Sequence, residues 1–159
     1  EIPERIVHND TKLSNVMMDV ETNEAVCVVD LDTVMPGLSL YDFGDMIRSG
    51  VSPAEEDERD LSLIEIRLPI FEALVRGFYD SLGDVLTAGE VEELAFAGKL
   101  ITYENGTRFL TDFLQGDIYF KTHRRYHNLD RCRTQFKLVA LMEEQKDVLE
   151  NIVAKIFTP

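Results

Sequence analysis

Apolar and polar positions recur at two different periods along this chain, and the switch from one to the other divides it. Up to Gly37 the apolar positions form short β-prone runs: Arg5-Ile6-Val7, Val16-Met17-Met18 and Ala25-Val26-Cys27-Val28-Val29. The last two are separated by Glu21-Thr22-Asn23-Glu24, whose Thr and Asn favour a turn, so they read as a β-hairpin. Such a hairpin brings the start of its first strand beside the end of its second, which places Asn15 near Asp30. Thr33-Val34-Met35-Pro36-Gly37 then reads as a breaker-rich loop.

Beyond that loop the period becomes helical. Ser39 is placed to cap a helix from Leu40 to about Ser49, with Asp42 and Asp45 suited to its dipole and Gly50 ending it. Pro53 to Asp60 is acidic and reads as a solvated linker. Ile64 to Leu68 alternates as a short extended segment would. Pro69 opens a helix to about Leu82, with Ile70, Leu74, Phe78 and Leu82 on one face. Thr87 and Glu90 have capping-box spacing at the head of a long helix that runs through Leu114. Phe96, Leu100, Tyr103, Leu110 and Leu114 form one stripe on it, and Leu94, Ala97 and Ile101 another. That pattern predicts a helix buried around much of its girth, with Gly98 and Gly106 at close contacts or a break. Ile118 to Asn128 is irregular, and Asp130 caps a last helix carrying Leu138, Leu141, Val148, Leu149, Ile152 and Ile156. The fold class is α+β, a small β-hairpin beside a mostly helical bundle.

Composition narrows the choice of class. The 159 residues fit one domain, a size that buries roughly 70% of its unfolded surface. With 45% hydrophobic and 29% charged residues the chain is unlike a disordered one. No run approaches the ~18 apolar residues a membrane span requires, and no basic-then-apolar leader opens the chain. Cys27 and Cys132 lack ligand spacing and read as free thiols of a reducing cytoplasm. The formal net charge of −14 argues against a nucleic-acid partner. A polyanionic substrate would therefore need cations from magnesium or from another segment.

The candidate chemistry lies between the first strand and the hairpin. His8-x-Asp10-x-Lys12-x-x-Asn15 has the spacing of a kinase catalytic loop, in which the Asp orients and deprotonates the acceptor and the Asn holds magnesium. Asp30, after an apolar strand, matches the second metal ligand, and both are hard oxygen donors. Lys12 either steadies the γ-phosphate or is a surface lysine. His8 reads as a brace of the loop, and Asp32 either approaches the metal or caps the loop. Glu104, Arg108 and Asp112 stand at i, i+4, i+8, the spacing of a salt-bridge ladder.

These residues resemble a known family. The loop His8 to Asn15, the segment Asp30 to Asp32 and Tyr41-Asp42-Phe43-Gly44 are similar to the carboxy-terminal lobe of the aminoglycoside phosphotransferase and choline kinase superfamily, whose fold is protein-kinase-like. Val7-His8-Asn9-Asp10-Thr11-Lys12, Asp30 to Gly37, Phe109 to Asp117 and His127-Asn128-Leu129-Asp130-Arg131 most resemble bacterial N-acetylhexosamine 1-kinases. The resemblance implies ATP-dependent phosphorylation of the anomeric hydroxyl of N-acetylglucosamine or N-acetylgalactosamine, with Asp10 as base and Mg2+ on Asn15 and Asp30. It implies that Asp42 braces the loop and that Arg108 touches a sugar hydroxyl; Asp117, Tyr119, Arg131 and Arg133 are weaker candidates. The ATP-gripping amino-terminal lobe of the family has no counterpart here. The chain begins with Glu1, only seven residues before the loop, so one lobe of a longer, cytoplasmic enzyme is expected, poor in ATP binding alone and able to self-associate through the face its missing lobe would cover.

Other readings stay open at this stage. Another alcohol of the superfamily, such as an aminoglycoside, choline or homoserine, would use the same loop. Val28-Val29-Asp30-Leu31-Asp32-Thr33-Val34 also resembles the nucleophile motif of haloacid dehalogenase-type phosphatases, which requires further alternating strands and helices. A third reading is a kinase-like lobe kept only for binding.

Overall fold

Two small antiparallel sheets lead into five helices in a computed structural model that describes residues 2–157. Strands β2 (Val16–Met18) and β3 (Ala25–Val28) form the hairpin, with Val16 opposite Val28 and an irregularity between Met17 and Met18. Its turn is tied by Asp19, whose carboxylate accepts from the backbone of Glu21 and Thr22, and Asn23 takes the left-handed conformation that a short polar side chain tolerates.

A second pairing was not expected. Strand β1 (Arg5–Val7) pairs antiparallel with β4 (Met35–Gly37), Arg5 opposite Gly37 and Val7 opposite Met35, where a loop was anticipated. Pro36 carries no N–H to donate, and a sheet of only two strands leaves it an outer edge that asks for none. The pairing of Val7 with Met35 closes the chain between them, which contains the candidate loop, into one segment with adjacent ends.

Helix α1 (Ser39–Gly50) begins at Ser39 itself, with Leu38 as its cap residue and no capping side chain. The Ser39 hydroxyl is diverted to Glu90 Oε1, to which it donates at 2.6 Å. Gly50 is the last helical residue. The face of α2 (Leu68–Leu82) that is buried carries Phe71, Val75 and Phe78 rather than Ile70 and Leu74, because Phe43 of α1 takes both phenyl rings edge-on or tilted, at 6.5 and 5.1 Å. Ile64 and Ile66 insert into the same core from an extended segment that has no partner strand.

Helix α3 (Ala88–Leu114) opens with the capping box formed by Thr87 and Glu90. Leu94, Ala97 and Ile101 are buried, while Phe96, Leu100, Tyr103 and Leu114 stay exposed, because α1 and α4 cover one side of the helix and leave the other bare. Close approach depends on small residues: a Cβ on Gly44 would lie 2.6 Å from the Ala97 carbonyl oxygen, and one on Gly98 would lie 2.8 Å from Ile47. The expected last helix is two, α4 (His127–Glu144) and α5 (Lys146–Phe157), broken at Gln145. Asp130 sits within the first turn of α4 and pairs with Arg124 and Arg133 instead of capping. Among the described residues no helix is long and apolar enough to cross a membrane.

The acidic segment is docked rather than free. Glu56 pairs with Arg48 at 2.8 Å, Asp57 with Arg124 and His127 at 3.1 and 3.0 Å, and the Glu58 carbonyl accepts from Thr134. Its carboxylates thereby tie α1 to the head of α4.

Candidate active site

The loop from His8 to Asn15 is held from α1. The carboxylate of Asp42 accepts from the backbone N–H of His8 at 2.8 Å and of Asn9 at 2.7 Å, while its carbonyl accepts from the Thr11 hydroxyl. Asn9 has φ 63° and passes its side-chain N–H to the Thr33 carbonyl; Thr33 in turn donates to the His8 carbonyl at 2.7 Å. His8 Nε2 lies 3.3 Å from the Val29 carbonyl, so the ring bridges the loop to the hairpin's end. Farther along, Leu13 N–H donates to Ser49 Oγ, fixing the loop's second half to the same helix.

Asp10 stands at the centre of this frame. Its Oδ2 accepts from Lys12 Nζ at 2.6 Å and from Asn15 Nδ2 at 2.8 Å, and its side chain is 27% exposed. Partial burial by itself would raise its pKa, but the hydrogen bonds from Lys12 and Asn15 and the charges of Lys12 and Arg48 outweigh it and hold the carboxyl below its ordinary range. Asp10 is an ionised acceptor at neutral pH.

Asn15 connects this carboxylate to the hairpin. Its carbonyl accepts from Val29 N–H at 2.9 Å, so the two ends of the hairpin are joined and Asp30 follows directly. Asp30 has φ 64° and leads into a 3-10 turn over Leu31–Thr33. A hydrogen bond with Asp32, and then the charge of Asp32, raise the Asp30 pKa; Asp10 adds to the rise and Lys12 opposes it. The carboxylates of Asp30 and Asp32 and the amide oxygen of Asn15, whose N–H2 is turned to Asp10, are hard oxygen donors of the kind a divalent cation such as magnesium takes. No group of three His, Cys, Asp or Glu residues suited to a metal exists among the described residues.

A cavity of about 600 Å³ opens beside Asp10 and Lys12, within the size range of small-ligand sites. Arg48, Arg108, Phe109, Phe120 and Arg131 contribute to its walls. Arg108 forms no ladder with Glu104 or Asp112 among the described residues; its guanidinium lies 5.5 Å from the Phe120 ring and 6.0 Å from Tyr119. Asp112 is buried and accepts from the backbone of Ile118, Tyr119 and Phe120 and from Asn128, which makes it the organiser of the α3–α4 connection. Asp117 lies outside the cavity, its carboxylate taken by Asn128 at 2.9 Å. Tyr119 lines a shallower depression that shares Arg108 and Phe120 with it. Arg133 is exposed and turned to Asp130.

Three residues of this site were not singled out from sequence. Arg48 is nearly buried between Asp45 and Glu56, and its i,i+3 spacing from Asp45 on an amphipathic helix is the signal that could have found it. Glu56 was indistinguishable within a run of acids, and Gln135 within a helical stretch. Residues 1–74, which hold the loop, the hairpin and α1, match the family model described as phosphotransferase enzyme family, and this match supports a phosphotransferase of the kinase-like superfamily.

Proposed function

We propose that this chain is the catalytic-loop and acceptor-binding lobe of an ATP- and Mg2+-dependent kinase that phosphorylates the anomeric hydroxyl of an N-acetylhexosamine. The observation that carries the reading is the Asp10–Lys12–Asn15 cluster opening on the 600 Å³ cavity. Asp10 accepts the hydroxyl proton as the sugar oxygen bonds to the γ-phosphorus of ATP; the bond to the bridging oxygen breaks and ADP leaves. Lys12, whose Nζ donates to Asp10 Oδ2 at 2.6 Å, would exchange that contact for one with the transferring phosphoryl group. Asn15, Asp30 and Asp32 are the residues that would hold magnesium, which neutralises phosphate charge when bound.

The cavity favours a neutral acceptor. Its cationic side chains, Lys12, Arg48, Arg108, Lys121 and Arg131, outnumber its carboxylates, Asp10, Glu55 and Glu56. Lys12, Arg48 and Arg131 are paired with Asp10, Asp45 and Glu56, which leaves Arg108 and Lys121, in no ion pair among the described residues, to repel the positive charge of an aminoglycoside or choline. Phe120, whose ring centroid lies 4.7 Å from that of the buried Phe109, offers apolar surface to a sugar ring, and Arg108 offers hydroxyl contacts. The phosphatase reading of Asp30 and Asp32 lacks support, since all four strands described are antiparallel and none follows Gly37.

An ATP-gripping lobe would cover the hairpin and the turn and strand that follow it, where Met17, Val26, Val28, Leu31 and Met35 are about half exposed or more. Self-association through the same face is the alternative use of that surface. Free Cys27 and Cys132 suit a reducing, cytoplasmic setting.

The test is an assay of the full-length protein with magnesium-ATP against N-acetylhexosamines, choline, homoserine and aminoglycosides, beside Asp10→Ala and Asp30→Ala. A sugar 1-phosphate lost in both variants supports the reading. Full turnover in Asp10→Ala would remove the base, and an aspartyl-phosphate on Asp30 would favour the phosphatase.

A further inference from the structure

One carboxylate in the cavity wall reaches two arginines on different helices. Glu56 Oε1 accepts from Arg48 Nη1 of α1 at 2.8 Å, and Glu56 Oε2 lies 3.5 Å from Arg131 Nε of α4, a contact of charges rather than a hydrogen bond. All three residues line the cavity that also contains Asp10. Helices α1 and α4 each pack on α3, and Glu56 links them to each other at the cavity. Without its carboxylate the two guanidiniums would stand as like charges in one wall.

The carboxylate is held in place by its neighbours in the chain. Asp57 Oδ2 accepts from Arg124 Nη2 at 3.1 Å and lies 3.0 Å from His127 Nε2, and the Glu58 carbonyl accepts from Thr134 Oγ1 at 3.0 Å. The two arginines differ in what else holds them. Arg48 keeps Asp45, whose Oδ1 accepts from its Nε at 2.7 Å. Arg131, among the described residues, pairs with no carboxylate but Glu56; its other contacts are neutral, with the Asn128 Oδ1, the Lys121 carbonyl and the Phe109 ring. Loss of Glu56 therefore falls on Arg131 first.

Stability gives little reason for the bridge. The Glu56 side chain is 41% exposed, and ion pairs open to water contribute little. Where such clusters are more buried, apolar packing of similar volume does as well or better. A bridge of this kind, with all three members in a cavity wall, is placed to fix that wall.

We infer that Glu56 is a positioning residue for the acceptor: by holding Arg131 of α4 against Arg48 of α1 it sets the shape of the cavity in which the acceptor lies. It acts through the arginines and takes no part in the transfer of the phosphoryl group. This inference rests on the kinase reading above.

Kinetics of the full-length protein test it, with magnesium-ATP and N-acetylglucosamine or N-acetylgalactosamine as acceptor. Glu56→Ala removes the bridge, and it is expected to raise KM for the acceptor about tenfold, within the range of coupling in one ion-pair network. Glu56→Gln keeps the volume and an oxygen for Arg48 and should raise it less, while kcat and KM for ATP stay near the wild-type values in both. Arg131→Met should raise KM for the acceptor as well, and the double variant Glu56→Ala/Arg131→Met by less than the product of the two single effects, because the same wall is lost only once. A lowered Tm with unchanged acceptor KM in both Glu56 variants would make the bridge merely structural and overturn the inference. Fully multiplicative effects in the double variant would overturn it too, since Glu56 would then act without Arg131. If Glu56→Ala does not fold, Glu56→Gln takes its place in the same cycle and decides by the same two criteria. Absence of sugar phosphorylation by the wild type would instead defeat the kinase reading, and this inference with it, before any variant is compared.

Discussion

Asn9 and Asp42, separated by 33 positions in the chain, are joined by a 2.7 Å hydrogen bond from the Asn9 N–H to Asp42 Oδ1. The second carboxylate oxygen takes His8 N–H, so one side chain of α1 clamps the turn that presents Asp10. Asp42→Ala removes two charge-assisted bonds, each worth roughly 1.5–3 kcal/mol. A net loss of about 2–4 kcal/mol is expected because the loop relaxes. Asp42→Asn, which retains one acceptor oxygen, should lose less. Hydrogen exchange at the His8 and Asn9 amides measures the clamp directly, and unaltered protection in Asp42→Ala would refute it.

On the proposed reading, Asp10 and Lys12 are expected to make separable contributions. Asp10→Ala is expected to lower kcat by about 10²–10⁴-fold, the range of a general base. Lys12→Met should act also through pH: Lys12 helps to hold the Asp10 pKa down, so its removal lets that pKa rise and moves the acid limb of the kcat/KM profile to higher pH. A profile displaced downward or not at all would show that Lys12 does not govern the Asp10 charge.

The candidate loop was legible as a unit because its residues are local in sequence. His8, Asp10, Lys12 and Asn15 fall within eight positions, and the hairpin that delivers Asp30 is marked by its own turn residues. The long helix was legible from its capping box for the same reason. What sequence could not supply were relations between distant elements. Pro36 reads as a breaker until β1 is seen beside it, and Glu56 reads as one more solvated acid until Arg48 and Arg131 meet it. The stripe of Phe96, Leu100 and Tyr103 is as apolar as the buried one. Only the placement of α1 and α4 decides which is covered.

Glu90 predicts an acid-labile component of stability. It is 0% exposed and accepts from Arg5 Nε at 2.7 Å, Ser39 Oγ at 2.6 Å and Thr87 N–H at 2.8 Å, joining β1, α1 and α3. The hydrogen bond from Arg5 is the main cause of its pKa falling from 4.5 to about 2, with Ser39 and Thr87 assisting against burial. A depressed carboxyl pKa contributes stability that is complete above the unfolded value and disappears as pH falls toward the folded one. The contribution is at most about 3 kcal/mol, reduced by the partial exposure of Arg5. Urea denaturation should show wild type losing its advantage over Glu90→Gln between about pH 5 and pH 2. Parallel curves for the two proteins across that window would dismiss the network as a source of stability.

Gly44 predicts a steric failure at the crossing of α1 and α3. A methyl group there would meet Ile101 Cγ1 at 2.5 Å and the Ala97 carbonyl oxygen at 2.6 Å, and a backbone oxygen cannot rotate away. Gly44→Ala should therefore cost about 1–3 kcal/mol or more despite alanine's better helix propensity. The exposed Gly77 of α2 has nothing within 4 Å of its Cβ, so Gly77→Ala should stabilise by about 0.5–1 kcal/mol. Thermal denaturation of both variants checks the contrast, and an equal response at the two positions would mean that α1 and α3 do not cross this closely.

Asp30 and Asp32 predict how magnesium binding depends on pH. The hydrogen bond and the charge of Asp32 raise the Asp30 pKa, and on the proposed reading Asp30 must be deprotonated to hold magnesium. Affinity should therefore begin to fall, on acidification, at a higher pH than an isolated aspartate would produce. Asp32→Asn removes the neighbouring charge and lowers the Asp30 pKa, so the decline moves to lower pH even as the loss of one carboxylate weakens binding at neutral pH. These two effects have opposite consequences in a titration and can be separated by calorimetry with Mg2+ and ATP over about pH 5–8 on the full-length protein. Asp30→Ala should abolish the magnesium-dependent heat. If Asp32→Asn matches the wild type in both affinity and pH dependence, Asp32 is neither a ligand nor the group that tunes one, and the metal is carried by Asn15 and Asp30 with phosphate oxygens.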